Sequence, residues 1–206
     1  MHLKLLFRYL RYMLLTVMQV QMLLLILYTF SSFFLLKRDL DARSRMISIE
    51  SEVSAMKEHE HWMRIALDEA NLAASAGEIP VGAVIVQNGQ ELARAHNLRE
   101  TSHDPTAHAE LLCMRAAALK LGSWHLRGCT LYVTLEPCPM CAGAMLMSQL
   151  STCVYGAADA HQGCCGSVYD LPADPALSGD VRWQAGVLAE ECSSLLRNFF
   201  THRRNE

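Results

Sequence analysis

Three side chains that can ligate zinc and one spare carboxylate stand close together in this sequence. His108 and Glu110 are two positions apart, and Cys138 and Cys141 follow in the motif Pro-Cys-Pro-Met-Cys. One histidine and two cysteines leave the fourth position of a tetrahedral zinc ion to water, which is typical of catalytic rather than structural sites. Because Glu110 is not needed as a ligand, it can move the proton of that water. The set predicts zinc-assisted hydrolysis in which an amine leaves.

The cysteine pair requires the start of a helix. Residues at i and i+3 lie on one face of a helical turn, roughly 5–6 Å apart at Cβ, so both sulfur atoms can reach one ion. Pro137 and Pro139 suit a helix entry, where a missing N–H costs little. The positive end of the helix dipole favours thiolates, and so we expect both cysteines to be charged ligands.

The histidine and the glutamate require a second helix start. Inside a helix, residues two positions apart point away from each other, so His108 and Glu110 can approach one ion only at a helix N-terminus. Asp104, Pro105 and Thr106, immediately before them, are typical of such a start. We therefore expect two helices to begin at the metal site.

The other cysteines leave alternatives to weigh. A Cys-x-x-Cys pair also occurs in redox sites and zinc ribbons, but a ribbon needs a second pair, and Cys164 and Cys165 have the wrong spacing. These two, with His161, could form a second metal or redox site, although simple burial is favoured. Four further cysteines fall in apolar stretches as free thiols, which indicates a reducing compartment, the cytoplasm. They are Cys113, Cys129, Cys153 and Cys192.

Apolar periodicity predicts helices and strands in alternation after an initial hairpin. Apolar residues recur at helical spacing over 59–76, and strands 80–86 and 91–96 meet at Asn88-Gly89, a strong hairpin signal. The pattern continues with helix 106–121, strand 130–135, helix 138–149, strand 152–155, strand 181–184 and a helix from Leu188. This order predicts an α/β fold in which helices cover a mixed sheet.

Three segments then carry a resemblance to a known family. They are PVGAV at 80–84, HDPTAHAE at 103–110 and TLEPCPMCAGAM at 134–145. In this order they resemble the bacterial-type tRNA-specific adenosine deaminases of the cytidine/deoxycytidylate deaminase superfamily, whose zinc signature is His-x-Glu followed by Pro-Cys-x-x-Cys. The resemblance covers 56–206 and implies a zinc-dependent deaminase domain there, with a cytidine-deaminase-like three-layer α/β/α fold and both zinc helices on one face of the sheet. It also implies a homodimer and one Zn²⁺ per chain, with His108, Cys138 and Cys141 as ligands and Glu110 as the proton shuttle.

The same resemblance implies a substrate surface around the metal. Asn97 is expected to hydrogen-bond the target base or its ribose, and Asp159 to lie in a loop beside the bound RNA strand. Four residues near the C-terminus are expected to contact anticodon nucleotides: Phe199, Phe200, Arg203 and Arg204. Structural roles are the alternative, because Asn97 and Asp159 could close turns and the phenylalanines could anchor the last helix.

Charge limits how RNA could be bound. Residues 56–206 carry 11 Lys and Arg against 17 Asp and Glu, a net charge of −6. A protein that grips nucleic acid without regard to sequence usually has a basic face. Recognition is therefore expected to be local, through a single-stranded loop whose bases are splayed into a pocket and stacked on aromatic side chains.

The first 55 residues depart from the family pattern and form a hydrophobic N-terminal extension. Positions 13–36 hold no charged residue, and a helix formed by this stretch would be long enough to span a bilayer. Basic residues flank both of its ends. No small-residue cleavage site follows, which argues against a removed signal peptide. Three alternatives stay open: an upstream-start reading of a gene translated from Met56, a transmembrane anchor with a cytoplasmic catalytic domain, or a targeting segment.

The favoured hypothesis is an enzyme that converts adenosine to inosine at the wobble position of a tRNA anticodon stem-loop. A deaminase of free guanine, cytosine or cytidine would share the metal site but would not need the Phe-Phe-x-x-Arg-Arg tail. An idle zinc-stabilised binding module is a third alternative, which an intact Glu110 argues against. The sequence does not indicate which tRNA is the substrate.

Overall fold

The computed structural model describes residues 2–177 and 179–204, with the backbone alone at 2, 26–27, 29–36 and 39–42. The elements in these residues are α1 (His2–Ser75), β1 (Gly82–Gln87), β2 (Gln90–His96), α2 (Arg99–Ser102), α3 (Ala109–Leu121), β3 (Cys129–Leu135), α4 (Pro139–Met147), β4 (Thr152–Ala157), β5 (Arg182–Gln184) and α5 (Ala189–Arg203). The chain divides into two units, Met1–Ser54 and Ala55–Glu206.

The first unit is helical over its described residues. Its described side chains are exposed and include large apolar residues such as Phe7, Leu14 and Leu24. A transmembrane anchor at 13–36 is one of the alternatives above; among the described residues, no helix is long and apolar enough to cross a membrane. Within that segment, the side chains at 26–27 and 29–36 lie outside the described residues.

A mixed five-stranded sheet organises the second unit. Its strand order is β2-β1-β3-β4-β5, in which β1 pairs antiparallel with β2 and β3, whereas β3, β4 and β5 run parallel. The predicted hairpin joins β1 to β2: Asn88 and Gly89 both have positive φ (52° and 70°), as a two-residue type I′ turn requires. The prediction of a mixed sheet is confirmed.

Alternating side chains divide the core between the two faces of this sheet. Ala83 and Ile85 of β1 pack with the buried residues of α3 and α4. Val84 and Val86 point the other way and pack with buried residues of α1 and of the segment that begins α5. Period-two alternation thus produces three layers. The predicted α/β/α fold, with both zinc helices on one face, is confirmed.

Helix ends depart from the predicted bounds by a few residues. The helix predicted from 106 begins at Ala109 instead, because the Thr106 backbone N–H first donates to Asp104 Oδ1 (2.8 Å) in a side-chain turn. The helix predicted to reach 149 ends early, because Gln149 has a φ of 56°, in the left-handed region. The helix predicted from 59 extends back to His2, and the single turn α2 was not predicted.

Candidate metal centre

Two helix starts place the three predicted zinc ligands together. His108 and Cys138 are the N-cap residues of α3 and α4, and Cys141 follows in the first turn of α4. The ligand atoms of the three side chains lie within 4.8 Å of one another. His108 Nδ1 is 3.7 Å from Cys138 Sγ and 3.6 Å from Cys141 Sγ. An extended backbone at His108 turns its side chain toward the cysteines.

These distances fit a tetrahedral zinc ion. Zn–S bonds of about 2.3 Å and Zn–N bonds of about 2.0–2.1 Å, at a tetrahedral angle, separate sulfur from nitrogen by about 3.6 Å. The positive ends of α3 and α4 face the same point, which favours anionic ligands there. Three protein ligands leave one coordination position open. No second group of three such ligands, around Cys164 and Cys165 or elsewhere, occurs in the described residues.

The two thiols differ in their surroundings. Cys141 and His108 act as hydrogen-bond donors to the sulfur of Cys138, which lowers the pKa of Cys138 to about 4 despite partial burial. The pKa of Cys141 is raised, because its thiol donates a hydrogen bond to the sulfur of Cys138 and because it is buried. A thiolate at Cys138 is thus favoured before any metal binds, and a cation would be needed to draw the proton from Cys141.

Glu110 lies one residue into α3, beside the ligands. Its side chain is only 4% exposed, and burial raises the pKa of its carboxyl. It faces the same cavity as His108 and Cys138. A buried carboxylate at this place can exchange a proton with a molecule bound next to the metal.

A cavity of about 630 Å³ opens over the metal centre. Its size is that of a small-molecule site, large enough for one nucleoside. Asn97, Asp159 and Phe200 line it, together with three residues of the metal centre. The remaining lining residues are Ile79, Arg99, Leu135, Glu136, Ala158, Ala160, His161, Gln162 and Leu196.

Asn97 is held by a glutamate that the sequence did not reveal. Asn97 Nδ2 donates to Glu78 Oε2 (3.0 Å), and Glu78 also accepts the backbone N–H groups of Glu100 (3.2 Å) and Thr101 (2.6 Å). Burial raises the pKa of Glu78, but hydrogen bonds from Thr101 and Glu100 and the charge of Arg99 outweigh it and lower the pKa overall. The contacts fix which way the Asn97 amide faces and hold α2 at the cavity edge.

Asp159 lies in the loop after β4. Asp159 Oδ1 accepts the backbone N–H groups of His161 (2.9 Å) and Gln162 (3.2 Å), so the residue closes a turn and lines the cavity at the same time. Its own backbone N–H donates to Glu136 Oε2 (3.0 Å). The sequence did not single out Glu136 either, although it directly precedes Pro137 in the zinc motif.

The four C-terminal residues have three different placements. Phe200, on α5, is 44% exposed and lines the cavity. Phe199 and Arg203 do not line it; the Arg203 guanidinium lies 5.5 Å from the centre of the Phe199 ring, and both border a second recess beside Gly77. Arg204 caps the helix, and its Nε donates to the Phe200 carbonyl oxygen (3.3 Å).

Comparisons with known proteins agree with this geometry. Residues 56–157 match the family profile of the cytidine and deoxycytidylate deaminase zinc-binding region. The tRNA-specific adenosine deaminase of Bacillus subtilis (strain 168) is 46% identical over 151 residues, which are 73% of this chain and 94% of the relative. A solved tRNA:A34 deaminase, from a study of A-to-I editing at the wobble position, has 38% identity and a TM-score of 0.64 over 66% of this chain and 99% of its own.

A guanine deaminase from Nitrosomonas europaea shares the fold alone, at 23% identity and a TM-score of 0.58 over 69% of this chain and 84% of its own. The fold, the metal centre and the family profile define a zinc-dependent deaminase of the cytidine and deoxycytidylate deaminase type. Within that class, the chain belongs to the family of tRNA-specific adenosine deaminases. The prediction that zinc is the cofactor is confirmed.

Proposed function

We propose that this chain is a zinc-dependent hydrolase that converts adenosine to inosine at the wobble position of a tRNA anticodon. The observation that carries the proposal is the meeting of His108, Cys138, Cys141 and Glu110 at one end of a cavity of nucleoside size. Relatives of 36–46% identity named tRNA-specific adenosine deaminases support the choice of substrate. The catalytic domain is assigned to 56–206.

In the proposed reaction, the three metal ligands and Glu110 have separate roles. When bound to the three ligands, zinc lowers the pKa of water in its open position to about 7. Glu110 accepts the proton of that water and delivers it to the ring nitrogen beside the amino-bearing carbon, which makes that carbon easier to attack. Glu110 then takes the remaining proton from the oxygen that has added to this carbon and passes it to the amine, which leaves as ammonia as the carbon–oxygen double bond forms, so one carboxylate serves as base and as acid. Its burial keeps bulk water from competing for these protons.

The cavity wall supports recognition of a nucleotide that has left its stack. Asn97 offers an amide that can bond the base or the ribose, and Phe200 offers an exposed aromatic face near the opening. Asp159 faces the strand that enters. Phe199 and Arg203 border the second recess beside Gly77 and Arg204 ends α5, and flanking anticodon nucleotides would have to reach them there. The negative net charge of the domain favours such local contacts.

The active form is proposed to be a homodimer in the cytoplasm. An apolar groove of about 250 Å³ lies on the surface of α3 and α4, bordered by Trp124, which is 62% exposed, and by Leu111 and Ala144. A second copy would cover this groove and leave the metal cavity open. All eight cysteines are free thiols, which suits a reducing compartment. Trp124→Glu, measured by light scattering, should shift the mass toward a monomer.

Competition between substrate classes tests the proposed activity. Zinc-loaded protein should deaminate adenosine in an anticodon stem-loop far faster than free adenosine, because flanking nucleotides supply binding energy that positions the reacting carbon. Guanine, cytosine and cytidine serve as parallel substrates. Efficient turnover of a free base, with none of the stem-loop, would replace the tRNA assignment by the small-molecule alternative.

A further inference from the structure

Glu136 is a buried carboxylate that takes no part in the chemistry proposed above. It directly follows β3, and its side chain is almost fully buried, the residue being only 2% exposed. Four donors converge on it. Oε1 accepts the backbone N–H groups of Cys165 (2.9 Å) and Ser167 (3.0 Å). Oε2 accepts the Asp159 backbone N–H (3.0 Å) and the Ser167 hydroxyl.

These four donors come from the two ends of the segment 158–167, which is the first part of the loop between β4 and β5. Asp159 stands near the start of the loop, where Ala158, Asp159 and the residues up to Gln162 form one wall of the cavity. Cys165 and Ser167 stand further along the chain and do not line the cavity. Neither end has a strand or helix of its own, since β4 ends at Ala157. Glu136 therefore joins both ends of this segment to the end of β3, and the Tyr155 hydroxyl of β4 makes a further link by donating to the Cys165 carbonyl oxygen (2.9 Å).

Close packing of the loop on Glu136 is a second, independent observation. A Cβ atom on Gly163 would overlap the Glu136 carboxylate and would lie only 2.5 Å from the Asp159 carbonyl oxygen. The Cys164 backbone N–H also donates to the Pro137 carbonyl oxygen (2.9 Å), one residue beyond Glu136. The middle of the loop thus rests on the zinc motif as closely as its ends do.

We propose that Glu136 is a positioning residue that holds the loop 158–167 in the arrangement that receives substrate. A carboxylate suits this task, because it is an acceptor only and its two oxygens offer about four lone-pair sites, one for each donor. Holding the wall before substrate arrives removes a cost of ordering from each binding event. The proposal rests on the proposed function, since the substrate that meets this wall is the anticodon loop.

Replacing the carboxylate by an amide separates the contacts. In Glu136→Gln, the amide oxygen keeps the Cys165 and Ser167 backbone N–H groups. The amide nitrogen then faces the Ser167 hydroxyl, which can rotate to accept, and the Asp159 N–H, which cannot. The variant should therefore release the Asp159 end of the loop and keep the other end in place.

The test uses the full-length, zinc-loaded chain. Hydrogen exchange resolved to single amides should quicken at Asp159 in Glu136→Gln by roughly tenfold or more, the loss expected for a hydrogen bond to a charged group. Exchange at the Cys165 and Ser167 amides should stay close to wild type. KM for the stem-loop should rise in inverse proportion to the fraction of protein whose loop stays in the competent arrangement, while kcat and zinc content hold.

Two further variants test the same proposal if Glu136→Gln does not fold. Gly163→Ala displaces the loop without changing the carboxylate and should raise KM in the same way. Gly143→Ala, at a site in α4 with nothing within 4 Å of the added Cβ, is its control and should leave KM unchanged. The same raised exchange at Asp159 is expected in Gly163→Ala and not in the control.

Separate results overturn the two proposals. Unchanged exchange at Asp159, or a lower melting temperature with KM at the wild-type value, would show that Glu136 only stabilises the fold. An inactive wild-type protein would instead reject the proposed function. In that case the exchange pattern alone decides whether Glu136 holds the loop.

Discussion

At the scale of single residues, the proposed metal binding and the proposed proton transfer fall on different side chains. His108, Cys138 and Cys141 bring their ligand atoms within 4.8 Å of one another, and Glu110 lies next to them without being needed as a ligand. Metal binding and proton transfer should therefore be lost separately when the residues are changed one at a time.

Glu110→Gln tests the proton transfer. The amide keeps the size of the side chain but cannot take a proton from water, so turnover of the stem-loop should fall by about 10²–10⁴-fold or more. Zinc content and melting temperature should stay near wild type. Glu60→Gln, a change of a carboxylate on the exposed side of α1, is the control and should have full activity. Turnover within tenfold of wild type would remove Glu110 from the mechanism.

Cys138→Ala tests the ligand set. With two protein ligands left, the purified protein should hold far less than the expected one zinc per chain and should be inactive. Cys129→Ala removes a buried free thiol at the start of β3 and should keep both metal and activity. Metal content by atomic emission decides the matter: full zinc occupancy in Cys138→Ala would mean that the ligands are misassigned.

The ligands could be predicted because their spacing is short and each lies at a helix start. Glu78 and Glu136 could not, because each accepts hydrogen bonds from backbone N–H groups more than 20 residues away in sequence, at 100–101 and at 159–167. A glutamate that will bind distant backbone groups has no local pattern that distinguishes it from an exposed one. Only the fold brings the partners together.

At the scale of elements, α1 packs directly on β1. A Cβ atom on Gly82 would overlap the Ala66 carbonyl oxygen and the Ala70 backbone nitrogen, and would lie 2.8 Å from Glu69 Cβ. The β1 backbone must therefore approach the helix without a side chain between them. This contact packs α1, which forms part of one outer layer of the three-layer fold, against the sheet.

Gly82→Ala should consequently destabilise the catalytic domain. Forcing a methyl group into this contact should lower the free energy of unfolding by about 1–3 kcal/mol, seen as a lower urea midpoint. Gly143→Ala adds the same methyl group in α4, with nothing within 4 Å, and should leave the midpoint unchanged or slightly raised. Equal midpoints in the two variants would show that the contact between α1 and β1 is looser than described.

The order and type of the elements followed from apolar periodicity, but several of their ends did not. The hairpin at Asn88 and Gly89 was predictable, because a type I′ turn demands residues that accept positive φ. The starts of α3 and α4 were each placed too early, since His108 and Cys138 act as extended caps and not as helical residues. Periodicity detects the buried face of a helix and is insensitive to the capping residue.

At the scale of the whole molecule, charge and substrate must be reconciled. Residues 56–206 have a net charge of −6, yet the proposed substrate is a polyanion. Contacts to a few phosphates near the cavity, with stacking of splayed bases, would satisfy both facts. Broad electrostatic attraction is not required.

The salt dependence of kcat/KM measures how many phosphates the protein contacts. Each phosphate neutralised on a single strand contributes about −0.7 to the slope of log(kcat/KM) against log[salt], so contacts to two or three phosphates predict a slope of about −1.4 to −2.1. Arg203→Ala and Arg204→Ala should each make the slope shallower by about 0.7. Arg127→Ala, before β3, is the control and should leave it unchanged. A much steeper slope would contradict local recognition and indicate that the RNA contacts many more basic side chains.

The most direct test of the account is where inosine appears. Full-length, zinc-loaded protein is incubated with a tRNA anticodon stem-loop that carries adenosine at the wobble position and at one other loop position, and each position is read by nuclease digestion and mass spectrometry. Inosine is expected at the wobble position alone, and none is expected with Glu110→Gln. Inosine at both positions alike, or none at either with wild-type protein of full zinc content, would contradict it.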